Sequence, residues 1–110
     1  MRTRPILLTL VTLQLAMSIS AAHAAGDIDA KQLYVQSLAA TCANCHGTEG
    51  HAIGGATVPG LAGRSADELV AQMKAFRSGE RKATIMHQIA KGFSEAQTQL
   101  LAEYFAAQKR

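Results

Sequence analysis

Two thiols and an imidazole stand together at Cys42-Ala43-Asn44-Cys45-His46, a C-x-x-C-H pentapeptide. Thiols three positions apart can each add to one of a porphyrin's two vinyl groups, while the next residue offers an imidazole to the iron. Cys42 and Cys45 would tether the ring, and His46 would be the proximal axial ligand. The expected cofactor is one covalent haem c.

Other chemistries of this residue set fit less well. A redox-active dithiol sits at the start of a helix following a strand in a βαβ pattern, and the chain has no such pattern. A structural zinc site needs four ligands, yet there are two cysteines in all, and His51 and His87 are too far apart to complete a finger. A Cys42–Cys45 disulfide would close a tiny strained loop and leave His46 without a role.

A six-coordinate iron needs a second axial ligand. Met73, Met86, His51 and His87 are the candidates. Met73 follows Leu69 by four positions and reads more simply as core. His51 lies too close to the tether to cross the ring. Met86, forty positions beyond His46, leaves room for the chain to wrap to the far face, and is favoured over its neighbour His87. A core methionine beside Ile85 and Ile89 is the plainer alternative.

Two further residues are candidates for cofactor contact. The carbonyl of Pro59, in Pro59-Gly60-Leu61-Ala62-Gly63, could accept the remaining ring N–H of His46, although the segment reads equally well as a turn. Arg64 could hold a haem propionate with a bidentate pair, or stand in solvent.

The elements that position these groups read as helices. Asp27 or Asp29 could cap a first helix containing Ala30 to Ala40, with Leu33, Tyr34 and Leu38 as its apolar stripe, running into the pentapeptide. The glycine-rich stretch from Gly47 to Gly63 is a loop, long enough to need a purpose such as wrapping the cofactor. Ser65 and Glu68 form a capping box opening a helix through Ser78, with Gly79 as terminator and Leu69, Met73 and Phe76 as its inner face. A short helical turn from about Thr84 to Gly92 follows. Ser94 and Gln97 cap a last helix from Glu95 to about Gln108, with Leu101, Tyr104 and Phe105 inward. Sustained period-two alternation is missing, so the expected fold is all-α, three to five helices around one haem.

Arg2 and Arg4, the apolar run from Ile6 to Met17, and Ala22-His23-Ala24 have the order of a secretory signal peptide. Residues 1–24 are the expected leader and 25–110 one haem domain. The apolar run is short and polar for a retained anchor. Export agrees with the pentapeptide, and the expected compartment is the bacterial periplasm. The net charge of +3 belongs to the precursor, since losing Arg2 and Arg4 leaves nine basic residues against eight acidic. Neither that balance nor any basic tract points to nucleic acid. A domain this small commonly needs a staple, which the haem would supply.

These features together resemble the class I c-type cytochromes: C-x-x-C-H after a first helix, Pro59, Leu61 and Gly63 as P-x-L-x-G, and Met86 ahead of a C-terminal helix. The resemblance implies thioethers at Cys42 and Cys45, His46 and Met86 as axial ligands, the Pro59 carbonyl on His46, and first and last helices packed across each other. More narrowly, Ala75-Phe76-Arg77-Ser78-Gly79, Ala83-Thr84-Ile85-Met86 and Ile89-Ala90-Lys91-Gly92-Phe93-Ser94 are similar to the cytochrome subunit of flavocytochrome c sulfide dehydrogenases. That likeness implies a periplasmic one-electron carrier that takes electrons from a sulfide-oxidising flavoprotein and breaks no substrate bonds itself. A freely diffusing carrier for another dehydrogenase or a terminal oxidase is the alternative within the class. A gas-sensing or peroxidase-like haem protein, which needs an open iron position, is the alternative outside it.

Overall fold

A computed structural model describes residues 30–110; the expected leader and the helix-capping Asp27 and Asp29 lie outside the described residues. The described secondary structure is helical throughout, with no strand, as the sequence predicts. Helix α1 covers residues 30–46, α2 Ala66–Ser78, α3 the single turn Met86–Ile89, and α4 Glu95–Ala106. Short 3-10 turns at Thr48–Gly50 and Ala90–Gly92 complete the described elements. No helix among the described residues is long and apolar enough to cross a membrane.

Helix α1 meets α4 through a small core of Ala39, Leu101 and Phe105, each at most 5% exposed, with Leu38, Cys42, Leu61, Leu69, Phe93 and Tyr104 packed around it. The inward face of α1 runs Val35, Leu38, Ala39, Cys42, Ala43, His46, a helical i, i+3, i+4, i+7 series. The apolar stripe expected from Leu33 and Tyr34 is therefore off the packed face, and both residues are exposed. The small Ala39 allows close approach to α4, a contact that hydropathy undervalues. Tyr34 instead receives a hydrogen bond on its hydroxyl from Gln97 Nε2, at 3.1 Å.

Capping defines α2 and α4. Ser94 Oγ accepts from Gln97 N at 3.1 Å while Gln97 Oε1 accepts from Ser94 N at 2.9 Å, the complete reciprocal box. Ser65 makes only half of its expected box: its hydroxyl accepts from Glu68 N, but the Glu68 carboxylate turns to Arg64 NH1, 2.7 Å away. An exposed pair at this spacing contributes about 0.3–0.5 kcal/mol. Gly79, left-handed at φ 81, closes α2. Helix α4 stops at Ala106, short of the expected Gln108, and there the Phe105 carbonyl accepts from both Gly63 N at 2.9 Å and Gln108 N at 3.2 Å.

Candidate functional site

Cys42, Cys45 and His46 occupy the last turn of α1, at i, i+3 and i+4, so all three emerge on one side of the helix. No disulfide joins the two cysteines. Cys45 is exposed, whereas Cys42 leans on the core and burial pushes its thiol above the usual cysteine range; the Thr41 hydroxyl, 3.9 Å away, opposes this in part.

His46 Nδ1 lies 2.7 Å from the Pro59 carbonyl. A carbonyl only accepts, so the ring proton sits on Nδ1 and the Nε2 lone pair is presented outward. The loop that brings Pro59 there is built on two glycines. Gly47 ends α1 at φ 83, and a side chain on it would overlap the His51 carbonyl. Gly50, buried at φ 82, accepts on its carbonyl from Leu61 N at 2.8 Å and Ala62 N at 3.2 Å, laying the Pro59–Gly63 segment beside the end of α1. A Cβ on Gly50 would come within 2.8 Å of Ala62 N and 2.9 Å of Phe105 Cδ1. The glycine-rich stretch is thus a folded clamp rather than slack, and it contains a 3-10 turn the sequence pattern does not reveal.

The remaining candidates fall into two places. Arg64 belongs to the clamp, donating from Nε to Gly60 O at 2.9 Å and from NH1 to Glu68, bonds in which NH2 takes no part. Met86 opens α3, on a different element, half-buried, after the polar connection from Gly79 to Ile85. His87 is also half-buried, with Nδ1 turned inward and bonded by no described residue. His51, set aside as a ligand, has its ring nitrogens 3.1 Å from Thr48 O and 2.7 Å from Lys109 O. Its role in tying the loop to the C-terminus has no local sequence signal, because the partners are 58 positions apart in the longer contact.

The donor set fits a haem: paired thiols and a tautomer-fixed imidazole on one helical face. An all-α domain presenting this arrangement is a c-type haem protein. Comparison with known proteins agrees. The Cytochrome c family matches residues 28–109. The cytochrome subunit of sulfide dehydrogenase from Chlorobaculum tepidum is 35% identical over 68 residues, 62% of this chain and 60% of that protein. A thiosulfate dehydrogenase electron acceptor from Stutzerimonas stutzeri is 46% identical over 68 residues, 59% of this chain and 31% of that protein. Cytochrome c-554(548) of Halomonas halodenitrificans is 38% identical over 72 residues, 63% of this chain and 86% of that protein. The chain thus spans less than two thirds of the first two relatives.

The chain belongs to the cytochrome c family, as a class I c-type cytochrome. It carries covalently bound haem c and its chemistry is electron transfer.

Proposed function

We propose that this chain is a periplasmic one-electron carrier that accepts electrons from a sulfide-oxidising flavoprotein subunit, with His46 and Met86 as axial ligands. The observation that carries the haem assignment is the His46–Pro59 hydrogen bond, which sets the imidazole tautomer and leaves Nε2 as the nitrogen that would hold an iron. Bound haem supplies an iron that alternates between ferric and ferrous states. Cys42 and Cys45 would hold the ring, and His46 and, from the separate turn α3, Met86 would ligate its iron. A thioether favours the reduced iron and raises the potential relative to a second imidazole, which suits an electron acceptor. Met86 is preferred to His87 because the His87 ring turns its Nδ1 into the protein. The free donor of Arg64, NH2, is directed to a propionate in this reading.

A protein-built core this small supports the haem as the centre of packing: the buried apolar residues among those described are Ala39, Ala90, Leu101, Ala102 and Phe105. The exposed Ile85 and Ile89, flanking Met86, supply apolar surface for the macrocycle.

The partner assignment rests on the sulfide dehydrogenase relative. Affinity purification from native periplasm tests it: a flavoprotein should copurify in stoichiometric amount, and adding sulfide to the complex should bleach the ferric and raise the ferrous haem spectrum. Purification of the cytochrome alone, with no sulfide-dependent reduction in any fraction, overturns it. The second reading, an acceptor for a thiosulfate dehydrogenase, is favoured by the relative bearing that name. Reduction by thiosulfate and not by sulfide would select it.

A further inference from the structure

Helix α3 is one turn long, entered through bonds to its N-cap carbonyl from Gln88 N to Ile85 O at 2.9 Å and from Ile89 N to Ile85 O at 3.2 Å, and closed by Ala90 N–H on Met86 O. A lone turn has no stability of its own, since nucleation costs more than its few bonds return. Something outside the turn must therefore decide where Met86 stands.

The chain leaving α3 passes through the 3-10 turn Ala90–Gly92, then becomes extended at Phe93 (φ −113, ψ 136) before Ser94 caps α4. This break prevents the carbonyls of Ala90 and Phe93 from bonding along a continuing helix. Both are taken by one side chain from α2. Arg77 donates from Nε to Ala90 O at 3.2 Å and from NH2 to Phe93 O at 2.7 Å. NH2 also reaches Thr98 Oγ1 at 3.2 Å; that hydroxyl, 2% exposed, donates its own proton to Ser94 O at 2.9 Å and so accepts from Arg77. Ala90 is fully buried, which leaves the turn no room to slide. A single planar guanidinium thus ties α2 to both ends of the segment between α3 and α4. Lysine, a point donor, cannot span these acceptors.

We propose that Arg77 is the positioning residue for the sixth ligand: its fork on Ala90 O and Phe93 O fixes the α3 turn, and through it Met86, against the helices. The inference rests on the Met86 ligation described above. It predicts that Arg77 governs the strength of the Met86–iron bond without touching iron or haem.

The test compares holoprotein of wild type, Arg77→Lys, Arg77→Met, Leu101→Ala and Met86→Ala. Amide hydrogen exchange at Gln88 and Ile89, relative to amides in the middle of α4, reports the turn directly and is independent of which residue ligates. Imidazole affinity of the ferric protein, and its far-red sulfur-to-iron absorption, report the ligand. Arg77→Lys should speed Gln88 and Ile89 exchange about tenfold or more relative to α4, and tighten imidazole binding by a similar factor, since a lost charge-assisted hydrogen bond is of that size. Should Arg77→Met fail to fold, Arg77→Lys alone decides. Leu101→Ala, which weakens the α1–α4 core and with it the α4 reference amides, should not raise Gln88 and Ile89 exchange relative to α4 and should leave imidazole affinity at the wild-type value. Unchanged exchange and imidazole affinity in Arg77→Lys, or equal changes in Leu101→Ala, overturn the proposal. Met86→Ala separates the two readings: if it leaves the far-red band and imidazole affinity as in wild type, Met86 is not the ligand, while the Gln88 and Ile89 exchange ratios still decide whether Arg77 holds the turn.

Discussion

His46 Nδ1 donates to the backbone carbonyl of Pro59 across thirteen residues at 2.7 Å, so the orientation of the imidazole proposed as haem ligand is set by main chain rather than by a side chain. The acceptor survives substitution of residue 59, but the rigid ring that holds it does not. Pro59→Ala should therefore cost about 0.4–1 kcal/mol in stability, the usual worth of a compatible proline, and weaken the ligand's electron donation. Denaturant midpoints and spectroelectrochemistry check this: the potential should rise, because a less basic imidazole stabilises ferric iron less.

Gly50 offers a harsher perturbation of the same clamp. Its φ of 82 and the Cβ approaches to Ala62 N and Phe105 Cδ1 leave no place for a methyl group. Gly50→Ala should destabilise the holoprotein by about 2 kcal/mol or more, part from the left-handed backbone and part from overpacking. Gly54, with open space around it, is the control: Gly54→Ala should change the unfolding midpoint little.

Met86→Ala should lower the reduction potential and admit exogenous imidazole or cyanide to the iron. His87→Ala should do neither. Retention of the far-red band in Met86→Ala would transfer the sixth-ligand role elsewhere.

Covalent attachment and folding are linked through the thiols. Acidified organic solvent should extract haem from a Cys42→Ser, Cys45→Ser double variant and leave it bound in wild type. Haem-free protein should lack a cooperative melt by circular dichroism, since the side-chain core around Ala39, Leu101 and Phe105 is small for a domain of this length. Leu101→Ala in the holoprotein, by contrast, should cost about 2–5 kcal/mol and still melt cooperatively.

Tyr104 gives an alkaline signature. Desolvation, and secondarily the Glu49 carboxylate, hold its phenol above the ordinary tyrosine value. The folded state then binds this proton more tightly than the unfolded chain does, so the contribution to stability is complete below about pH 10 and declines as pH rises through the folded phenol's titration. Ultraviolet titration should show the shifted phenol, Glu49→Gln should move it down, and Tyr104→Phe should remove it.

The pentapeptide, the reciprocal Ser94–Gln97 cap and the left-handed stop at Gly79 could be read without coordinates because each is a local device: neighbouring residues supply both halves of the interaction. Thus Ser94 with Gln97 capped α4 as expected, and Cys42, Cys45 and His46 fell on one helical side by periodicity alone. What needed the tertiary structure were pairings whose halves lie far apart in the chain or on main-chain atoms that carry no residue identity. Gly50 O on Leu61 and Ala62, His51 on Lys109 O, and Arg77 on Ala90 and Phe93 are of this kind, and periodicity is silent about them. The misplaced stripe on α1 has the same origin: Leu33 and Tyr34 are the larger apolar residues, but the helix turned toward α4 the side on which small Ala39 permits close contact. Spacing determined which chemistry this chain can perform; packing decided which way its parts face to perform it.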